Sequence, residues 1–401
     1  MTVTTAGSHR VVIAGGGFAA LEAMIALRRL AGGRVELVLV SPDRQLAYPP
    51  LSVVEPFGLG EAPRFDLAEI ARDHEATLHV DEVVSVDTGR RVLRTRSDGE
   101  LPYDSLLVST GAQPHEAVPG ALTFRGSRDR PAFEELLGEI DAGRVRSVVF
   151  AVPSGTAWPL PLYELALMTA ARAEAKDVAV RFAVVTAESA PLVIFGNKAS
   201  DAVAALLEER DIELRTSTVP VAFQDGALSV APSGSLEADR VVALPQLRGR
   251  APAGLPTDPD GFLSTDEHGH VRGCDDVFAA GDATAFPVKQ GGIATQQADA
   301  AARSIAARAG SPVEAEPFRP VLRGLLLTGD GARFMRAQIA GGHGDKSEVS
   351  TRMLWWPETK VAGQYLSHYL SRTTEPVKPV EPLPVDAVPV EIDLTHAQAG
   401  T

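Results

Sequence analysis

Two glycine-rich segments hold the residue types best suited to chemistry. Gly15-Gly16-Gly17-Phe18-Ala19-Ala20 follows the apolar run Val11–Ala14, and Ala280-Gly281-Asp282 follows Val277-Phe278-Ala279. The first fits G-x-G-x-x-G/A between a strand and a helix. Gly15 permits the tight turn, Gly17 lets the backbone approach a pyrophosphate, and Ala20 keeps helix and strand close. The helix that opens at Phe18 and Ala19 turns its positive end toward the phosphates. The acid expected at the end of the next strand, where it would hold a ribose hydroxyl, is missing. Ser41 and Pro42 stand there, followed by Asp43. A serine still hydrogen-bonds a ribose but discriminates less against a 2′-phosphate.

In the second segment the Asp282 carboxylate can accept hydrogen bonds from a ribityl hydroxyl. The next helix, from about Gly292 through Ala307, can aim its first amides at a flavin C2 carbonyl, where they favour the charge of a reduced ring. Lys289, Gln290, Gly291, Gly292 and Ile293 would then meet the pyrimidine end of that ring. Lys289 either adds to the stabilisation or is a solvated loop lysine. Gln296 and Gln297 either face the ring or lie on a polar helix face, and the second reading is the one taken. One glycine turn alone is weak; the two together predict bound FAD.

These segments need elements to position them. Residues 10–43 read as a β-α-β unit: strand Arg10–Ala14, helix Phe18–Leu30 with Leu21, Met24 and Ile25 on one face, a stop at Gly32-Gly33, and strand Val35–Val40. Tyr48-Pro49-Pro50 and Glu55-Pro56-Phe57-Gly58 read as helix breakers. Ala76–Val86 and Arg91–Arg96 are β-like, and Leu106–Val108 ends at Ser109-Thr110-Gly111. A second β-α-β unit spans roughly 146–188, from strand Ser147–Val152 through helix Leu160–Ala173 to strand Val178–Val185. Residues 236–246 read as a strand returning toward the first unit. The expected fold is α/β, with two Rossmann-like, FAD/NAD(P)-binding three-layer domains and a C-terminal extension. Residues 1–114 plus 245–325 would form the FAD-binding domain and 115–244 the second. A C-terminal region over 326–374 and a Pro-rich, acidic tail over 375–401 complete the division.

Bulk properties narrow the partners. The 401 residues are 45% apolar and 22% charged, an ordinary globular balance. A net charge of -14 argues against nucleic acid. Residues 1–10 lack an apolar signal core, and no apolar run approaches the about 18 residues that cross a bilayer, so a cytoplasmic protein is expected. Cys274 is the only cysteine, so no intrachain disulfide forms. His268-Gly269-His270 has no third ligand in sight, so no metal is expected. Trp355, Trp356, Tyr365, Leu366, Tyr369 and Leu370 read as core or homodimer contacts ahead of a peripheral membrane contact.

With Tyr103–Gly111, Val277–Thr284 and Lys289–Gln297 added to Gly15–Ala20, the chain resembles the two-dinucleotide-binding flavoproteins, the pyridine nucleotide-disulfide oxidoreductase-like group. The likeness covers about residues 10–310 and lies in the branch of type II NADH dehydrogenases and sulfide:quinone oxidoreductases. It implies that Val83 lies near the adenine, that the chain passes FAD at Thr110-Gly111, and that Tyr48-Pro49-Pro50 approaches the isoalloxazine. Disulfide reductases and sulfide oxidoreductases carry reactive cysteines near the flavin. Cys274, read as a small loop residue, cannot replace them, and both chemistries are excluded.

The second turn departs from the family. Val152-Pro153-Ser154-Gly155-Thr156-Ala157-Trp158-Pro159-Leu160-Pro161 keeps only Gly155 as a permissive position. Pro153 and Pro159 lack donors, and Trp158 is bulky where backbone should approach a phosphate. Pro161 can still open the helix. The turn is similar to that of sulfide:quinone oxidoreductases, which use no nicotinamide. Glu164 stands where NADH-dependent relatives often place a glutamate near the nicotinamide, although an ordinary surface helix residue is slightly favoured. Glu188 either binds a ribose or is exposed. Gly155, Trp158 and Glu164 therefore form the candidate donor site, and no catalytic acid or base stands out. The reading is an FAD-dependent oxidoreductase carrying electrons from NAD(P)H or another small donor to a quinone or similar acceptor. The alternatives are a flavoenzyme that ignores NAD(P)H and a flavin-bound scaffold without turnover.

Overall fold

Val11, Val12, Ile13 and Ala14 are all fully buried. A strand with no polar alternation is covered on both faces, as in a parallel sheet flanked by helices. The computed structural model, which describes residues 8–338 and 347–373, places His9–Ala14 at the centre of such a sheet. Its parallel order is Val277–Ala279, Ser105–Val108, His9–Ala14, Val35–Ser41, Ala76–Val80. A second parallel sheet repeats the plan: Leu122–Thr123, Arg240–Ala243, Ser147–Val152, Arg181–Thr186, Ile212–Arg215. Between the sheets, Ala112–His115 and Gln246–Gly249 pair antiparallel, so the chain leaves and returns side by side.

Four helices matter for the site: α1 (Phe18–Ala31), α2 (Leu160–Ala175), α3 (Gly291–Arg308) and α4 (Leu366–Thr373). Helices α1 and α3 meet through alanines, with Ala19, Ala23, Ala294, Ala298 and Ala301 all buried. Wholly buried Glu22 of α1 accepts hydrogen bonds from Tyr365 N–H at 2.8 Å and Leu366 N–H at 2.7 Å. It thereby caps α4 from another helix. Asp299 of α3 is hydrogen-bonded to the same carboxyl.

The C-terminal sheet is antiparallel, ordered Val321–Leu327, Ala332–Gln338, Ser347–Ser350. Its edge strand, Val321–Leu327, is completed by side chains in place of a fourth strand. Gln296 accepts from Val321 N–H at 2.8 Å and donates to Val321 O at 2.9 Å; Gln290 donates to Arg323 O at 3.2 Å. Glu164 accepts from Leu327 N–H at 2.9 Å.

Three sequence expectations change. Residues 236–246 are not one returning strand: Arg240–Ala243 joins the second sheet, and Gln246–Gly249 makes the return. The β-like run Ala76–Val86 is two strands, broken where the Asp81 carboxylate accepts from Glu82 N–H at 2.7 Å. Pro49–Phe57 is a 3₁₀ run, because Pro49 and Pro50 fill first-turn positions whose N–H has no acceptor to lose. The Pro-rich tail lies outside the described residues.

Candidate functional site

Each glycine of the first turn has its own reason. Gly15 has φ +132°, and a Cβ there would stand 2.2 Å from Ser109 O; one on Gly16 would stand 2.5 Å from Ser41 Oγ. A Cβ on Gly17 would meet nothing within 4 Å. Gly15 and Gly16 therefore serve packing, while Gly17 opens on free space at the head of α1. No acid occupies the first turn of α1 and no side chain caps it, so its leading N–H groups face that space unclaimed. Buried Ser41 takes Asp43 N–H on its hydroxyl at 3.2 Å, with Pro42 exposed beside it. Val83 is half-buried. Thr110 donates to Arg250 O at 2.8 Å, and Gly111 has φ +73°.

The second segment lies against the first. A Cβ on Gly281, whose φ is +75°, would stand 3.1 Å from Ala19 Cβ; one on Gly291 would stand 3.1 Å from Phe18. The heads of α1 and α3 thus converge. Gln297 accepts from Gly281 N–H at 2.8 Å and donates to Thr284 Oγ1 at 3.3 Å. Gln296 donates to Gly292 O at 2.6 Å besides holding the edge strand. Gln297 is buried, which corrects the polar-face expectation for it, whereas half-buried Gln296 lies beside Asp299 and Arg303; both are clamps. Gln290 caps α3 by accepting from Ile293 N–H at 2.8 Å.

Lys289 is buried, not solvated. Its ammonium donates to Thr284 O and lies 3.9 Å from the Phe262 ring centroid. Burial pulls its pKa down to about 8, against the opposing pull of Asp282 and Asp258. Half-buried Asp282 accepts no hydrogen bond from any described residue, and burial pushes its carboxyl up. An open glycine cradle, two converging helix heads, an orphan carboxylate and a buried cation fit FAD. Tyr48 is committed elsewhere: its hydroxyl accepts from Val361 N–H at 2.9 Å, and its ring stands edge-on to Phe18 with centroids 5.2 Å apart.

The second turn is braced by its own contacts, although a Cβ on Gly155 would meet nothing within 4 Å. Thr156 donates to Pro153 O through N–H at 3.3 Å and hydroxyl at 2.7 Å, with Gly155 at φ +73°. The Trp158 ring packs edge-on to Phe195 at 5.7 Å. Half-buried Glu188 accepts from Tyr163 OH at 2.7 Å and Thr186 Oγ1 at 3.0 Å, so its carboxylate is engaged and not simply exposed. Lys289 N–H reaches Ala157 O at 3.4 Å, which puts this turn beside the second segment.

Glu164 overturns the surface-residue reading. It is fully buried on α2, and its Oε1 meets the buried Lys360 ammonium at 2.5 Å, while Oε2 has no partner. Burial raises the Glu164 pKa and lowers that of Lys360. The sequence signal was an acid inside the apolar run Leu160–Met168; Lys360, far along the chain, gave none.

The sequence pattern described as Pyridine nucleotide-disulphide oxidoreductase matches residues 9–149 and 164–304. The chain belongs to the pyridine nucleotide-disulphide oxidoreductase family. The family match is interrupted over 150–163, the second turn. Type II NADH:quinone oxidoreductase NdhA of Mycobacterium tuberculosis is 25% identical over 366 residues, covering 80% of this chain and 77% of that protein. Its relative Ndh from the same organism is 26% identical with the same coverage. Among solved structures, sulfide:quinone oxidoreductase of Aquifex aeolicus superposes with TM-score 0.75 at 18% identity, covering 82% of this chain and 84% of that one. The ferredoxin reductase of the CYP199A2 system of Rhodopseudomonas palustris gives 0.66 at 20%, covering 86% of each. These structures share the family fold.

No helix among the described residues is long and apolar enough to cross a membrane. Trp355 stacks edge-on to Phe334 at 5.3 Å, whereas Trp356 is 74% exposed. Cys274 is free and half-buried, and no metal-binding cluster occurs among the described residues.

Proposed function

We propose that this family member is an FAD-dependent oxidoreductase that takes electrons from a small donor other than NAD(P)H and delivers them to a quinone or similar acceptor. The contrast between the two turns carries the reading. Both turns leave a glycine open, Gly17 and Gly155, but the second has Pro153 and Pro159 where N–H donors would be needed, and its Glu188 carboxylate is already engaged. A nicotinamide dinucleotide needs backbone approach and a ribose acceptor there. The acceptor class rests on the relatives named for quinones.

FAD, when bound, supplies the two-electron chemistry. The residues supply position and charge. Gly15, Gly17 and the head of α1 would hold the pyrophosphate, with Ser41 at the ribose and Asp282 at the ribityl chain. Lys289 and the first N–H groups of α3 would stabilise negative charge at the pyrimidine end. Glu164 and Lys360 form a buried ion pair that ties the C-terminal segment to α2. Burial raises the Glu164 pKa and lowers that of Lys360, and the 2.5 Å contact between them opposes both shifts.

Purified protein should be yellow, and anaerobic titration with NADH or NADPH should leave the flavin oxidised. Dithionite-reduced protein should then be reoxidised by a quinone. Bleaching by either nucleotide would overturn the donor assignment and favour the NADH-dependent reading, which the Mycobacterium relatives support. A colourless preparation that FAD cannot reconstitute would overturn the whole reading.

A further inference from the structure

A groove of ≈ 600 Å³ runs beside α4, bounded by α1 and by Asp73 and His74. Half-buried Tyr365 and Tyr369 line it with Ile25 of α1, and the His74 ring stands 5.2 Å from that of Tyr369. Tyr369 is held in place by donating to Asp73 Oδ2 at 2.7 Å. Two exposed cations, Arg29 and Arg372, complete the rim, and neither makes a salt bridge with a described residue. Neighbouring Arg28, by contrast, is bound to the carbonyls of Gly32, His74 and Glu75. Along α4 the rim charges alternate: Arg29 acts on Tyr365, Asp73 holds Tyr369, and Arg372 follows at the helix end.

The chain's own continuation matches this rim. Helix α4 ends at Thr373, so residues 374 onward, outside the described part, depart from the Arg372 end of the groove. They begin a triplet pattern, Glu375-Pro376-Val377, Lys378-Pro379-Val380, Glu381-Pro382-Leu383. A polyproline II helix makes one turn per three residues, so such a period gathers charges on one edge, prolines on a second and aliphatic groups on the third. Segments of this composition dock in aromatic-lined grooves, having little backbone entropy to lose. Gln364 to Arg372 is about 12 Å of helical rise, which about four residues of extended Pro-rich chain retrace.

We propose that residues 375–383 turn back and lie in this groove of their own chain. Glu375, Lys378 and Glu381 then face Arg372, Asp73 and Arg29 in that order, opposite signs throughout, while Val377 and Val380 pack against the tyrosine rings. The tether holds the segment at an effective concentration on the order of millimolar, so weak contacts suffice.

Proximity in the full chain tests this. In a Cys274→Ser background, Gln364→Cys is combined with Val380→Cys or with the more distant Val390→Cys. Disulfide formation driven by diamide in dilute protein is followed by mass spectrometry. For an unattached tail, loop closure alone favours Val380→Cys over Val390→Cys by about twofold. Docking should raise that ratio to about tenfold or more, and a ratio near two overturns the proposal. Raising the salt concentration should lower the ratio, since the charge pairs are exposed. Reversing the rim with Arg29→Glu and Arg372→Glu should bring it back to about two. Adding Glu375→Arg and Glu381→Arg should then restore it, a rescue that general damage to α4 would not allow. A high ratio that survives the reversal, or a lost ratio that the second pair of changes cannot restore, overturns the charge pairing on which the docking rests. Linked dimers in place of an intrachain product overturn the assignment to the same chain and put the segment on a second copy.

Discussion

Asp299→Asn tests the carboxyl pair that fastens α4 to α1 and α3. Glu22 takes two backbone N–H groups at the head of α4, which oppose the upward push of burial on its carboxyl, and Asp299 beside it has no such donors. Burial, then the neighbouring Glu22 charge, pushes the Asp299 pKa up to about 9. In the unfolded chain an aspartate titrates near 3.9. From about pH 5 to 8 the native protein thus keeps a proton that the unfolded chain has released. Stability contributed by Asp299 is complete at low pH and drains away as pH rises toward 9. One retained proton gives a slope of about 1.4 kcal/mol per pH unit, or about 4 kcal/mol over that window. Asp299 is partly open to water, and halving for screening leaves about 2 kcal/mol. Asn cannot ionise, and its amide still donates to Glu22. Melting midpoints of both proteins from pH 5 to 8.5 should converge at the acid end, with the variant ahead by a few degrees at the alkaline end. A constant offset across that range would refute the shared proton.

Gly17→Val should fold, since its Cβ meets nothing, yet purify colourless; Gly15→Ala should instead lose soluble yield, because its Cβ would strike Ser109 O at 2.2 Å. Lys289→Met should lower the flavin midpoint potential below pH 8 and remove an inflection near that pH, since the wild-type ammonium loses its proton at about 8; an unchanged potential profile would sever Lys289 from the ring. Glu164→Leu or Lys360→Met alone should cost about 3–5 kcal/mol in denaturant unfolding by stranding a buried partner, while the double variant should cost less than either sum predicts. Strict additivity would show that the pair is not coupled.

The turns at Gly15–Ala20 and Gly281–Asp282 were readable in sequence because their physics is local: a strand, a small residue at a tight bend, and a helix head within a few positions. The duplicated β-α-β plan was legible for the same reason. Lys289 was ambiguous because its burial depends on Phe262 and the Thr284 carbonyl, which reach it only in the fold. Gln290 and Gln296 were placed near the right element, but no local pattern shows that their amides finish a sheet edge at Val321 and Arg323. Glu22, Glu164 and Arg323 carried a weak signal, each a charge inside an apolar run. Such a charge demands compensation without naming it, and Asp299 beside Glu22 and Lys360 beside Glu164 lie on other elements.

The ties of the C-terminal segment have a consequence for biosynthesis. Lys360 neutralises Glu164 across 196 positions, Val361 reaches Tyr48 across 313, and Leu366 caps onto Glu22 across 344. Each joins a residue to another made at least 196 positions later. A nascent chain can build both sheets while still attached to the ribosome, but it carries an unmatched Glu164 and an uncovered Tyr48 until residues 360–366 have emerged. Completion of the structure around α1 and α2 thus waits on residues 360–366, and a product that stops before them should present itself to chaperones and proteases as a two-sheet intermediate.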